Sequence, residues 1–503
     1  MKLFKLLPLL FFAASAEAQS IAIPWTGHGH DPQHTGLSKT TAQPLQQIRW
    51  QTLVDRAPVY WSNSLLVHYG SPLITPQNTV LLPVKTGADD FFEIEGRAAA
   101  DGGKKWTLLT DYSLPAHGWV PSCGIALTPK NRLWYPGIAG SVYYRDNPDA
   151  ASGPGGQIFF YGLEQYQVAP QTYNANVKIN TPITSDRYGN VYFGFIVTAS
   201  TPLGLSGGIA RIAEDGSASW IAANAAADDP QMYKVVQNCA PALSNDQKSL
   251  YLVVSDGDYG NGYLVRLNSQ TLATISKTRL FDVISPQTYA SLPDDGTASP
   301  TVGPDGDVYF GVFAAAPFNY NHYRGWLLHF DATLAQTKPS GAFGWDDTAS
   351  IVPASLVPSY TGASSYLLMT KYNNYVGGGG DGRNKLALLD PNATMTDPIT
   401  GAAVMQEILT ILSPTHDADY PSLPNAVREW CINTAAIDPA KKSAFVGCED
   451  GKLYRWDFTT NTLAETITLT NGIGEAYTPT MIGVDGTVYA IANGILFAIG
   501  GTP

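Results

Sequence analysis

The feature that most constrains this chain is a short phrase that keeps returning. Its clearest copy runs from Thr301 to Phe310, where Thr301 and Val302 lead into Pro304, Asp305, Gly306 and Asp307, and Val308, Tyr309 and Phe310 follow. Proline presets φ and glycine accepts positive φ, so the phrase predicts two β-strands joined by a tight turn. Related phrases start at Gly70, Cys123, Asn180, Cys239, Ile351, Asn433 and Tyr477, so copies recur over nearly the whole chain. Most lie roughly 50 to 60 residues apart, room for four strands and a long loop.

A strand pair of this kind cannot bury both of its faces alone. Repeated around a ring, each small sheet packs on the next, and the expected fold is all-β: a single β-propeller of four-stranded antiparallel blades. The copies number eight, or seven if the degenerate one at Ile351 belongs to its neighbour. The last copy stops after a third strand at Ile499, while residues 44–54 hold an apolar strand with no blade of its own. Pairing the two would close the ring and remove two exposed edges. Residues 391–427, with five prolines, are expected as an insertion, with Val404 to Leu412 within them as an outer strand.

Composition narrows the function classes. The 503 residues carry a net charge of −12, are 14% charged and include 48 Gly and 35 Pro, as in a turn-rich globular protein. No basic stripe is present for nucleic acid. Residues 1–18 read as a signal peptide, with a charged start, a short apolar run and a small-residue ending at Ala18. No later apolar run reaches the roughly 18 residues of a membrane span. The expectation is therefore a periplasmic or secreted, monomeric domain over residues 19–503.

The segment after the signal, from Trp25 through Asp31, Pro32, Gln33, His34, Thr35 and Gly36 to Trp50, resembles the lead-in of the pyrroloquinoline-quinone-like repeat propellers, the superfamily of quinoprotein alcohol dehydrogenases. The turn-then-tryptophan stretches ending at Trp106 and Trp220 resemble its blade-docking signature, which implies indoles wedged between blades. His28, His30 and His34 lie in the lead-in, but nothing fixes them on one face as metal ligands.

Loops entering the innermost strands converge on one mouth of a propeller. That set comprises His68, Tyr69, His117, Trp119, Lys178, Asn180, Lys234, Asn238, Asp294, Asp295, Trp345, Asp346, Asp347, Arg428, Glu429, Trp430, Glu475 and Tyr477. Close carboxylates need a positive partner, either a hard cation or a basic side chain such as Arg428, Lys178 or Lys234. By position, the resemblance implies Asp294, Asp295 and Glu475 as calcium ligands, Asn180, Arg428 and Glu475 as contacts to a quinone, and Asp295 as a catalytic base. Against it, the chain has no adjacent cysteine pair and no C-x-x-C-H haem motif. Two readings stand: a non-catalytic propeller binding a protein, glycan or small ligand, and a calcium- and quinone-dependent dehydrogenase.

Four cysteines occur. A turn at Pro439 and Ala440 sets Cys431 opposite Cys448, and a disulfide is expected there; Cys123 and Cys239 are expected as buried thiols.

Overall fold

The computed structural model describes residues 25–62, 64–88, 90–472 and 479–501. The signal peptide, Glu475 and Tyr477 lie outside them.

Strand follows strand in chain order, and each repeat forms an antiparallel sheet built from the inside outward. The fifth repeat shows the plan: Thr301–Val302 innermost, then Val308–Val312, Trp326–Phe330 and Thr337–Gly341. The phrase from Thr301 to Phe310 is the hairpin its residues predict, with Gly306 at φ 94° in the turn. Second strands such as Ser249–Ser255 and Tyr366–Tyr372 are buried at every position because neighbouring sheets cover both faces. The outer strand Thr462–Thr468 alternates exposed with half-buried residues, as a strand at the rim should.

Among the described residues there are eight four-stranded antiparallel units, in two of which the innermost strand is broken into two pieces. Ser340 and Val404 form a parallel bridge that joins the fifth and sixth units into one eight-stranded sheet. The fold is a β-propeller, and it closes through the N-terminal strand. Gln47–Leu53 runs antiparallel to Ile495–Gly500 and supplies the outer strand that the last unit lacks.

Indoles tie adjacent units together. Trp50, on the closing strand, donates its Nε1–H to the Ala99 carbonyl of the first unit at 2.7 Å. Trp106, on the outer strand of the first unit, donates to Pro148 of the second at 2.8 Å, with the Arg145 guanidinium 4.2 Å from its ring centroid. Trp220 is only half-buried, edge-on to Phe160 and Phe195.

Two expectations change. The outer strand expected at Val404 to Leu412 is present as Ala403–Leu412, but the insertion is shorter than 391–427, because Lys385–Thr396 pairs with that strand in one long hairpin. Residues beyond it loop back through a bridge between His416 and Val427. The disulfide is absent as well: all four cysteines are buried thiols that form no disulfide. The bridging partner of Cys448 is Trp430, so the register is displaced by one residue and Cys431 falls on the opposite face.

The N-terminal segment does more than lead in. It travels around one end of the central channel and gives a backbone carbonyl to one inner strand after another. Trp25 accepts from Ile74 N at 3.0 Å, Thr26 from Leu127 N at 2.8 Å, and Pro32 from Leu243 N at 2.7 Å. Gln33 accepts from Val302 N at 3.0 Å, Thr35 from Ile351 N at 2.8 Å and Gly36 from Ile437 N at 2.8 Å. Gly36 has φ 65°, and a Cβ there would lie 2.5 Å from the Ala435 carbonyl oxygen, so this closest approach requires glycine.

Candidate functional site

The channel has two unlike ends. His68, Trp119, Asp295 and Trp345 precede their inner strands, whereas the N-terminal segment bonds Ile74, Leu127 and Val302, at the strands' far ends. At about 3.3 Å per residue the two levels are separated by on the order of 20 Å.

At the sealed end the three histidines are structural. His34 donates Nδ1–H to the Pro300 carbonyl at 2.7 Å, and burial lowers its pKa to about 4. His28 contacts Thr348 Oγ1 at 3.3 Å, and burial, followed by the charge of His34, holds its pKa well below the ordinary imidazole value. His30 pairs with Asp31 at 3.2 Å. Between this plug and the mouth lies a void of only about 10 Å³, lined by His28, Ser122, Asn238 and Asn433 among others.

At the open end is a cavity of about 560 Å³. Entry loops supply His68, Trp119, Asp295, Trp345 and Glu429, all expected there. The remaining walls come from loops between second and third strands: Tyr259 from the fourth unit, Phe313, Phe318 and Tyr323 from the fifth, and Tyr375, Val376 and Gly377 from the sixth. Tyr420 joins them from the loop after the sixth unit. These aromatics were missed because the converging-loop argument considers only entry loops. A signal was present in the ring-rich run Phe313 to Tyr323. The glycine run at Gly377 also forms wall here, beside a short 3₁₀ turn at Val376–Gly378.

Below the cavity the expected carboxylates do converge, and ammonium groups already stand among them. Asp294 pairs with Lys234, as the sequence allowed. Lys371, which entry-loop position did not reveal, lies 2.9 Å from Asp346, with both side chains essentially inaccessible. Asp347 accepts Thr370 Oγ1–H at 2.7 Å and Lys371 N–H at 3.1 Å, and burial pushes its pKa up to about 7. Asp295 accepts the Trp119 backbone N–H at 3.0 Å; burial, reinforced by Asp258 and Asp294, raises its pKa despite that bond.

The remaining candidates are committed elsewhere. Asn180 donates to the Val235 carbonyl at 2.7 Å and ties neighbouring inner strands together. Arg428 reaches Asp417 at 3.0 Å and Asp419 at 2.6 Å. Among the described residues no group of three or more His, Cys, Asp or Glu is disposed to hold a metal ion. Of the described calcium and quinone candidates, three do not fit, since Asn180 is turned to backbone, Asp294 to Lys234 and Arg428 to its own acidic loop, and Asp295 alone lines the cavity.

A ring of four-stranded sheets closed by its own N-terminal strand defines the class as a β-propeller. No family model matches the sequence, and no curated protein does. Solved structures do match in shape. A europium-containing methanol dehydrogenase aligns at 10% identity over 93% of this chain and 88% of that one, with a TM-score of 0.55. The quinohemoprotein alcohol dehydrogenase from Comamonas testosteroni aligns at 10% identity over 97% and 82%, with a TM-score of 0.59. At such identities the likeness is one of fold. Among the described residues no helix is long and apolar enough to cross a membrane.

Proposed function

We propose that this chain is an exported, non-catalytic propeller that binds a small organic ligand in the open mouth of its channel. The supporting observation is the cavity itself. Its volume of about 560 Å³ and its largely aromatic wall, with a few convergent polar groups, suit a small ligand. The charged groups beneath are paired with one another, which leaves the floor a scaffold. Titration of purified protein with chemically diverse small molecules, followed by the fluorescence of Trp119 and Trp345, tests this reading. A saturable change that is lost in Trp345→Ala supports it, and silence across the collection would defeat it.

Shared fold with two dehydrogenases favours a second reading, an oxidoreductase using pyrroloquinoline quinone and a metal ion at the same mouth. Incubation with the quinone and calcium or a lanthanide, then assay with primary alcohols and an artificial electron acceptor, separates the two. Turnover would replace the binding reading. The paired carboxylates lead to the expectation of no turnover and no calcium-dependent rise in melting temperature, since Lys371 and Lys234 already hold the positions a cation would neutralise.

A further inference from the structure

We infer that the ligand of the mouth is an organic cation, a protonated amine on an apolar body; this rests on the mouth being a binding site and names its chemistry. The first support is hydrogen-bond polarity. His68 lies 2.9 Å from the Asp295 carbonyl through Nε2, and a carbonyl only accepts, so Nε2 carries the proton. Burial keeps this imidazole neutral, so Nδ1 presents a bare lone pair; it is buried and has no hydrogen-bond partner. Asp295 lines the same cavity, and Glu429 stands on another part of its wall. These groups accept and do not donate.

The second support is charge. Among the described residues, neither Lys nor Arg lines the cavity, while two carboxylates do. Lys371 and Lys234 lie below, each against its own aspartate. The third is the wall. Phe313 packs against Phe318 at 4.6 Å and Trp345 at 5.1 Å between ring centroids, and Trp119 stacks on His68 at 5.1 Å. Ring faces carry partial negative charge and attract cations. An ammonium group brings donors and no acceptors, matching this set. A sugar hydroxyl brings lone pairs, for which tyrosine hydroxyls are the main donors on the wall. An anionic ligand would meet two carboxylates.

Calorimetric titration with three probes tests the inference: 2-phenylethylammonium, methyl glucoside and phenylacetate. The expected result is binding of the ammonium alone, weakened about tenfold in Asp295→Asn, in which one charge is removed at constant shape. Glu429→Gln is the second variant, should the first misfold. Binding of the glucoside or phenylacetate in place of the ammonium, or ammonium binding indifferent to both variants, overturns the cation inference while the mouth remains a binding site. No heat and no fluorescence change with any probe, together with silence in the wider collection, removes the binding reading as well.

Discussion

The two ends of the channel are made by the same repeats and solve opposite problems. At the sealed end one segment, Trp25 to Gly36, meets inner strands in succession through backbone carbonyls. Backbone bonds ask little of side chains, so the sequence there is constrained mainly where space or φ demands it, as at Gly36. At the open end nothing repeats. Loops between second and third strands of the fourth, fifth and sixth units carry most of the rings that define the cavity, and those of the fifth and sixth are longer than that of the fourth. Regular backbone closes the propeller, and irregular side chains shape its cavity.

Removing residues through Leu53 takes away both plug and closing strand, leaving the Ile495–Gly500 edge unpaired. Aggregation and loss of a cooperative melting transition are expected by size-exclusion chromatography and calorimetry. Removing residues only through Ala42 keeps the closing strand, and a monomer of lower melting temperature is expected. An unchanged melting temperature would show that the sealed end does not depend on its plug.

Lys371→Met leaves Asp346 buried without its ammonium and should cost about 3 to 5 kcal/mol in urea denaturation. The double variant with Asp346→Asn should recover much of the loss. If the single variant is as stable as the parent, the lysine is not what balances the floor.

The ends also differ in pH response. His34 has its pKa lowered from 6.5 to about 4 in the folded state, so the stability it contributes is present above 6.5 and lost as pH falls towards 4. The loss is on the order of 3 kcal/mol. His68 adds the same trend at the mouth, also being lowered to about 4 by burial. Asp347 acts in the other sense: with its pKa raised from 3.8 to about 7, its contribution is present below 3.8 and lost as pH rises through 7. The two windows overlap between about 4 and 6.5, so the trends oppose there, and with two imidazoles against one carboxyl the melting temperature should rise with pH across that range. His34→Asn should flatten the rise and Asp347→Asn should steepen it; a slope unaltered in the first variant would contradict a buried neutral imidazole in the plug.

Asp295→Asn should change stability least, by under about 1 kcal/mol and towards stabilisation at neutral pH, because burial disfavours its charge. Urea titration decides it. A large loss would make Asp295 a structural residue and weaken its place in the ligand site.

Much of the fold was legible because it is local. The turn at Pro304 to Asp307 and the spare strand within 44–54 each follow from period-two patterning and turn chemistry over fewer than about a dozen residues. The site was half legible. His68, Trp119, Asp295, Trp345 and Glu429 were reachable because repeat position predicts which residues meet at the mouth. Lys371 was not, since it sits at the end of an ordinary-looking second strand, Tyr366–Tyr372, where the pairing of Ser350 with Met369 sets it beside the entry loop that carries Asp346. The aromatic loops were missed because they leave the second strands, outside the entry loops.

By itself, then, the sequence determined a closed ring of antiparallel sheets, through turns and alternation that act between near neighbours. Tertiary structure decided which end of the channel is sealed, that ammonium groups stand beside Asp294 and the buried Asp346, and that Cys431 and Cys448 stay apart. It also decided that rings from the fourth to sixth units share one cavity. Such outcomes depend on distances between residues far apart in sequence, where a register displaced by one residue turns a side chain to the other face and no local pattern records the choice.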